Sequence, residues 1–250
     1  MQDFPSRVRE LVVVASSSRS GSSMLAEILR KSSALVHLRA EINPFLRLVG
    51  LGFPTSGTGS DRLSADDLNS LRLQLRQVLA EELALDAGCP CDQIDDERFV
   101  LDVAWRLAIQ WPELDLDLGL VTAAARQVLD RLRRAHQWAT NELRDIPLFQ
   151  LELLSELRAA GLPVEPCHYD LPRALLDSTD RRPSHGAPGN ALVEEPPFVL
   201  PRLWRRVDEQ DLVTKALVIK TPSNAYRLDF LCALFPYARI RVLHLTRIGE

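Results

Sequence analysis

The chain has short continuous apolar runs near its two ends and longer helical spacings between them. Residues 11–15 form a continuous, β-branched run, which is typical of a parallel strand buried on both faces of a sheet. A further apolar run predicts a strand at residues 216–219, and shorter or mixed apolar segments predict strands at residues 35–38 and 240–245. Helical patterns follow the strands at residues 11–15 and 216–219. Strands that alternate with helices predict a doubly wound sheet with parallel strands.

The stretch from about residue 64 to 161 has the spacing of amphipathic helices. Ser64 and Asp67 have the pattern of a capping box ahead of leucines at helical spacing. Further helices are predicted at about 96–110, at about 121–140, and from Pro147 to near Gly161. We interpret this stretch as a helical cap or insert on the α/β core, followed by a proline-rich loop at about 171–201.

Composition adds limits to this interpretation. Of the 250 residues, 46% are hydrophobic and 26% are charged, which is ordinary for a globular protein with a sizeable core, and we predict a single domain over residues 1–250. The formal net charge of −4 gives no bulk attraction to nucleic acid or to an anionic membrane, so we expect neither as a partner. Any nucleotide site must gather its positive charge locally.

The four cysteines do not form the pattern of a disulfide framework. Cys89 and Cys91 are separated by one residue, which is too short for the usual zinc or thioredoxin spacing, so we expect no metal site there. The N-terminus has no basic segment followed by a long apolar run. This favours a cytoplasmic protein, and a domain excised from a larger chain fits equally well.

The loop at residues 16–23 carries the strongest chemical signal. Compared with the P-loop of nucleoside triphosphatases, it keeps the second glycine as Gly21 and the final hydroxyl as Ser23. It has Ser16 in place of the first glycine and Ser22 in place of the lysine. Backbone N–H groups around Gly21 can still bind an anion at a helix N-terminus. The predicted fold is therefore a P-loop-like three-layer α/β/α domain with a central parallel sheet and a helical insertion.

The sequence Arg19-Ser20-Gly21-Ser22-Ser23 resembles the loop of sulfotransferases that binds the 5′-phosphosulfate of 3′-phosphoadenosine 5′-phosphosulfate. The resemblance implies that Arg19 contacts the bridging oxygen and the sulfuryl group, where negative charge develops during transfer. It also implies that this loop, with Ser18, binds the donor without a metal. The alternative interpretation is a tight serine-rich turn between a strand and a helix.

A second segment, residues 220–247, resembles the later block of the same family. A lysine at a strand end is followed by a helix, a Phe-Pro turn and a strand closed by a basic residue. The resemblance implies that Arg247 binds the 3′-phosphate of the nucleotide. The alternative is a solvated arginine at a strand end.

An acceptor hydroxyl needs a general base, because it is a poor nucleophile at neutral pH. Glu41 follows the second predicted strand, and several bacterial and protein-modifying sulfotransferases have a catalytic glutamate in a similar position, which implies that Glu41 is the base. The alternative is a structural carboxylate paired with Arg39 or a helix terminus. His37 is the alternative base. Lys220 is expected to contact the sulfuryl group or the acceptor, unless it forms a salt bridge at its strand end.

The resemblance covers about residues 8–54 and 213–247 and is to bacterial-type sulfotransferases, including those associated with polyketides. After Arg247 the family continues with a C-terminal cofactor segment that this chain lacks, which implies a truncated or divergent chain or an incomplete nucleotide site. The implied activity is transfer of a sulfuryl group to a hydroxyl of a small molecule, polyketide or carbohydrate, free or carrier-bound, with release of 3′,5′-diphosphoadenosine. The alternatives are a non-catalytic module that binds nucleotide or docks a partner, and an ATP-dependent phosphotransferase.

Overall fold

A computed structural model describes residues 3–16, 21–39, 41–51, 61–91, 93–111, 114–164 and 203–246. The chain divides into two compact units, Met1–Pro90 with Arg205–Glu250, and Cys91–Trp204. The predicted proline-rich loop at 171–201 lies outside the described residues. Within the described residues, no helix has the length and apolar character needed to cross a membrane.

The first unit is built on a mixed sheet of six strands in the order β4-β3-β2-β5-β1-β6. Strand β1 is parallel to both β5 and β6, and β2 is parallel to β5, as the alternation of strands and helices predicts. The strands are β1 (Glu10–Ser16), β2 (Leu35–Leu38), β3 (Ala87–Cys91), β4 (Leu203–Arg206), β5 (Ala216–Lys220) and β6 (Arg239–Leu245).

The sheet departs from the predicted all-parallel form at β3, which is antiparallel to β2 with His37 opposite Gly88. The prediction was wrong here because residues 87–91 lie in a stretch whose leucine spacing indicates helices. Gly88 and Pro90 disfavour a helix, and Ala87 has the extended backbone that ends the preceding helix. Such a short segment without apolar alternation gives no strand signal.

The central strands β1 and β5 are buried on both faces. Val13 and Val14 are fully buried although neighbouring strand residues face opposite sides, and the same holds for Val218 and Ile219. Helices and connecting segments must therefore cover both faces, which is consistent with a three-layer α/β arrangement. Strand β6 lies at the edge of the sheet, and most of its side chains are exposed.

Helices connect these strands and form the second unit. Helix bounds are α1 (Phe4–Arg7), α2 (Ser22–Leu29), α3 (Asn43–Leu48), α4 (Ala65–Ser70), α5 (Leu73–Asp86), α6 (Asp96–Gln110), α7 (Leu118–His136), α8 (Ile146–Ala159), α9 (Glu209–Thr214) and α10 (Leu228–Leu234). A 3-10 helix, Pro222–Tyr226, follows β5. The predicted capping box is confirmed at the start of α4, where Asp67 accepts from the Ser64 backbone at 2.7 Å. The leucine pattern after it is two helices, because Leu71 and Arg72 have extended backbone.

The second unit is a helical body with an apolar core. Phe99 of α6 and Phe149 of α8 pack with their ring centroids 5.2 Å apart, and α7 contributes a buried stripe to the same core. Helix α7 ends earlier than predicted because Gln137 takes the left-handed conformation (φ 56°). The predicted stop at Gly161 is confirmed, with φ 90° just after α8.

Candidate functional site

Polar side chains gather where the parallel strands of the first unit end. Lys220 is the last residue of β5 and lies level with Val14 of β1, two residues before the end of that strand. Glu41 comes shortly after β2, and Ser23 lies in the first turn of α2, which follows β1. The carboxyl edge of a parallel sheet is where ligands bind in open α/β folds. The fold therefore brings three of the predicted site residues to one place.

Lys220 connects these residues directly. Its Nζ lies 2.5 Å from Oε1 of Glu41 and donates to Oγ of Ser23 at 3.1 Å. Both side chains of the ion pair are only 13% exposed. Such a pair is largely desolvated, so removal of either partner leaves an uncompensated charge. Glu41 thus pairs with Lys220, and not with Arg39 as the alternative interpretation proposed; the Arg39 backbone N–H donates to Asp86.

The other oxygen of Glu41 accepts from two neutral side chains. The Thr221 hydroxyl donates to Oε2 at 2.7 Å, and the Asn43 amide lies 3.4 Å from the same oxygen. The Asn43 amide also donates to Oγ1 of Thr221 at 3.2 Å. Both oxygens of the carboxylate therefore have donors before any ligand is considered.

Arg227 continues this network into the interior. Its guanidinium donates to Oδ1 of Asn43 and to the backbone carbonyl of Asp61 at 2.8 Å, and it forms an ion pair with the Asp61 carboxylate at 3.4 Å. Asp61 also accepts from the Ser223 hydroxyl at 2.5 Å. The site thus rests on a polar network that joins the segments after β2 and β5 to the start of α4.

The main-chain ends of β1 and β5 are held together by Asn224. Its Nδ2 donates to the carbonyls of Val14 and Ile219, at 3.3 and 3.2 Å, and the residue is fully buried. This contact fixes the register of β5, and so of Lys220, relative to β1. The 3-10 helix after β5 therefore holds β1 and β5 together at the carboxyl edge of the sheet.

Gly21 shapes the start of α2. Its φ of 90° is in the left-handed region that favours glycine, and no atom of the described residues other than its chain neighbours lies within 4 Å of the place that a Cβ would occupy. The first N–H groups of α2 have no partner within the helix and carry partial positive charge. Ser22 is buried, and Ser23 is exposed beside Lys220. Ser16, at the end of β1, is buried, and its hydroxyl has no partner among the described residues.

Four residues that are predicted to bind the donor nucleotide lie outside the described residues, namely Ser18, Arg19, Ser20 and Arg247. Their roles stay predictions from the sequence.

His37, the alternative base, lies within β2 and is 2% exposed. Burial first, and then the nearby Arg30 charge, lower its pKa from 6.5 to about 4. The His37 ring is enclosed within the sheet, whereas Glu41 lies at the carboxyl edge beside Lys220. Of the two predicted bases, Glu41 is therefore the one that lies with the other predicted site residues.

Sequence reasoning assigned no role to four residues of the network that begins at Glu41, namely Thr221, Asn43, Arg227 and Asp61. Thr221 follows Lys220 directly and Asn43 lies two residues after Glu41, and this adjacency was the available signal. Arg227 and Asp61 are far from Glu41 in sequence, and only the fold brings Arg227 to Asn43 and Asp61 to Arg227.

In the part of the chain that the structure describes, no group of three or more His, Cys, Asp and Glu side chains is placed to hold a metal ion. The thiols of Cys89 and Cys91, on β3, donate to the backbone carbonyls of Leu35 and Gln93, at 3.7 and 3.2 Å.

Comparison of the chain with protein-family models, with curated proteins and with solved structures gave no significant match.

Proposed function

We propose that this chain is a sulfotransferase that moves a sulfuryl group from 3′-phosphoadenosine 5′-phosphosulfate to an acceptor hydroxyl. One observation carries the proposal: Lys220 joins Ser23 at the start of α2 to the carboxylate of Glu41 at the carboxyl edge of the sheet. A cation, a helix N-terminus and a carboxylate within one hydrogen-bonded group provide the parts that anion binding and hydroxyl activation require.

The residues present fit such a donor. Gly21 has no side chain to obstruct a phosphate near the backbone, and the N–H groups at the start of α2 supply donors for it. The buried Ser16 hydroxyl, without a partner among the described residues, is a further donor at the same strand end. When bound, the donor supplies the sulfuryl group and leaves as 3′,5′-diphosphoadenosine. Gly21, Ser22, Ser23 and Lys220 would hold its phosphosulfate, together with Ser18, Arg19 and Ser20 of the preceding loop.

Glu41 and Lys220 divide the chemistry between them. Glu41 accepts the proton of the acceptor hydroxyl, which makes that oxygen a better nucleophile. Lys220, already within hydrogen-bond distance of Ser23, turns its charge toward the anionic group held at α2 and stabilises the charge that develops there. The proposal includes a P-loop-like three-layer fold with a helical insertion. It also includes a contact between Arg247 and the 3′-phosphate of the nucleotide.

A non-catalytic nucleotide-binding module is the second candidate. The observation that favours it is the full engagement of Glu41, whose two oxygens accept from Lys220, Thr221 and Asn43. In this interpretation the carboxylate only anchors the lysine. The two candidates agree on nucleotide binding and differ on turnover.

Calorimetric titration with 3′,5′-diphosphoadenosine, without magnesium, tests the donor site. We expect the wild type to bind, and Arg19→Ala and Lys220→Met each to weaken binding by about tenfold or more, because each removes a charge-assisted contact to phosphate. Lys215→Met is the matched control, since it removes a lysine of the same unit that pairs with Asp211 at 2.8 Å. Its affinity should equal that of the wild type.

Transfer of a labelled sulfuryl group from 3′-phosphoadenosine 5′-phosphosulfate to phenol, alkyl and saccharide hydroxyls, and to water, then separates the two candidates. Turnover that is lost in Glu41→Gln supports the enzyme. Nucleotide binding without any turnover supports the module. Magnesium-dependent binding of ATP, without binding of 3′,5′-diphosphoadenosine, would overturn both and support a phosphotransferase.

A further inference from the structure

A chain of buried donors leads from Arg227 to Glu41. Arg227 donates to Oδ1 of Asn43, the Asn43 amide donates to Thr221 at 3.2 Å, and the Thr221 hydroxyl donates to Oε2 of Glu41 at 2.7 Å. Arg227 is 2% exposed, Asn43 8% and Thr221 0%. We propose that Thr221 and Asn43 are positioning residues that hold Oε2 of Glu41 and leave Oε1 as the oxygen that accepts the acceptor's proton. This inference rests on the proposed function.

The direction of each hydrogen bond between Arg227 and Glu41 follows from Arg227. A guanidinium only donates, so the Asn43 atom that faces Arg227 must be its carbonyl oxygen. The amide nitrogen of Asn43 then faces Thr221 and has only hydrogens to offer. The Thr221 oxygen accepts one of these, and its single proton is left for Glu41. The Thr221 hydroxyl therefore donates to Oε2, and this hydrogen bond stabilises the ionised form of the Glu41 carboxylate.

Oε1 has a different environment. Its neighbour is Lys220, whose Nζ is also 3.1 Å from the Ser23 hydroxyl and therefore has a second partner toward α2. A carboxylate oxygen has two lone pairs, so Oε1 can accept a proton while Oε2 keeps its bond to Thr221. Thr221 holds Oε2 in place, whereas the acceptor hydroxyl can replace Lys220 as the partner of Oε1. The carboxylate therefore keeps a fixed orientation in which Oε1 is the oxygen that reacts.

Burial of this network needs an explanation beyond packing. Each buried polar group costs free energy unless it is hydrogen-bonded, and well-packed apolar residues of similar volume fill such space at no such cost. The network is closed at its far end, where Asp61 compensates the Arg227 charge. A purely structural role, fastening the segments after β2 and β5, would affect stability and leave the rate of bound substrate unchanged. A positioning role predicts an effect on that rate.

The test compares Thr221→Val, which keeps the shape and removes the hydroxyl, with Thr221→Ser, which keeps the hydroxyl. Labelled-sulfate transfer gives kcat and KM, and titration gives the Kd for 3′,5′-diphosphoadenosine. We expect Thr221→Val to lower kcat by about tenfold or more while Kd stays within about twofold, and Thr221→Ser to recover kcat to within about threefold. Asn43→Asp, which cannot donate to Thr221 when ionised, should also lower kcat. It serves as the second variant if Thr221→Val does not fold.

The matched control is Thr122→Val in α7, which removes a buried threonine hydroxyl bonded at 2.8 Å to the Leu118 carbonyl in the other unit. Its kcat should equal that of the wild type. Wild-type kcat in Thr221→Val, or equal loss in Thr221→Val and Thr221→Ser, would overturn the positioning role alone. A wild type that transfers no label to any acceptor, water included, would overturn the proposed activity and the positioning role together.

Discussion

The two units of this chain treat polar side chains in opposite ways. The first unit buries a connected group of them at the carboxyl edge of its sheet, including Thr221, Asn224 and Arg227. The described residues of the second unit bury a largely apolar core, and most of their ion pairs lie at the surface. Arg131, for example, pairs with Glu152 and Glu156 while 44% of its own side chain is exposed.

Burial decides what these interactions are worth. An exposed ion pair contributes little, because water screens it and its long side chains lose entropy. A desolvated pair costs a great deal when it is broken, since the remaining charge has no partner. Even the buried Arg133 of the second unit pairs with a partner, Asp96, that is partly exposed. The second unit is therefore organised for stability, and the first accepts a cost in stability at the place where chemistry is proposed.

The largest expected effect comes from Lys220→Met compared with Arg131→Met. We expect Lys220→Met to destabilise the first unit by about 3 kcal/mol, because the Glu41 carboxylate is left without its cation. Arg131→Met should cost less than about 1 kcal/mol.

The two units can be followed by separate probes. Three of the chain's four tryptophans, at positions 105, 111 and 138, lie among the helices of the second unit, whereas Trp204 lies on β4 of the sheet. In a Trp204→Phe background, tryptophan fluorescence during urea denaturation therefore reports the second unit. Hydrogen exchange of the β1 and β5 amides reports the first. Equal costs for the two variants would contradict the distinction between a buried and an exposed pair.

The next effect sharpens the comparison through pH. The pKa of His37 in the folded chain is about 4, below its ordinary value of 6.5, because of burial and the Arg30 charge. The unfolded chain therefore binds the proton first as pH falls. Stability of the first unit should be fully present above about pH 6.5 and should fall by about 2 kcal/mol between pH 7 and pH 5.

Denaturation at a series of pH values, with hydrogen exchange of β2 as the probe, measures this loss. His37→Gln should remove this contribution to the slope. His136→Gln, at an exposed histidine of the second unit, is the control and should leave it in place. A slope that survives in His37→Gln would assign the pH dependence to other groups.

Local patterns were sufficient for most of the fold. Continuous apolar runs located β1 and β5, because strands buried on both faces need apolar residues at every position. Mixed segments that are largely apolar located β2 and the exposed edge strand β6. Helix α6 was predicted within its observed bounds. The strands β3 and β4 were missed, since their short segments carry Gly88, Pro90 and charged residues without alternation. Their place in the sheet depends on tertiary pairing, of β3 with β2 and of β4 with β3, which no local pattern contains.

The site divides in the same way. Ser23, Glu41 and Lys220 were predicted because each follows a predicted strand, and parallel strands bring such positions to one edge. Their hydrogen-bonded contact depends on side-chain geometry that only the structure gives. Arg227 and Asp61 carried no signal, because their role depends on a contact with Asn43 and with each other across long stretches of chain.

The smallest expected effect is one that should be equal in the two units. Asp208 caps α9 in the first unit, where its carboxylate accepts from the Asp211 backbone at 2.8 Å. Asp117 caps α7 in the second, accepting from the Gly119 backbone at 2.7 Å. Each caps a helix by the same local contact, so Asp208→Ala and Asp117→Ala should each cost about 1 kcal/mol.

Hydrogen exchange and tryptophan fluorescence measure these two losses in their respective units, and titration with 3′,5′-diphosphoadenosine should give wild-type affinity for both variants. The capping contacts are local, and neither touches the group around Glu41 and Lys220. A loss of nucleotide affinity in Asp208→Ala would mean that α9 supports the site. That result would mean that residues beyond the carboxyl edge contribute to nucleotide binding. Equal losses of stability with unchanged nucleotide affinity would mean that binding depends on the residues at the carboxyl edge alone.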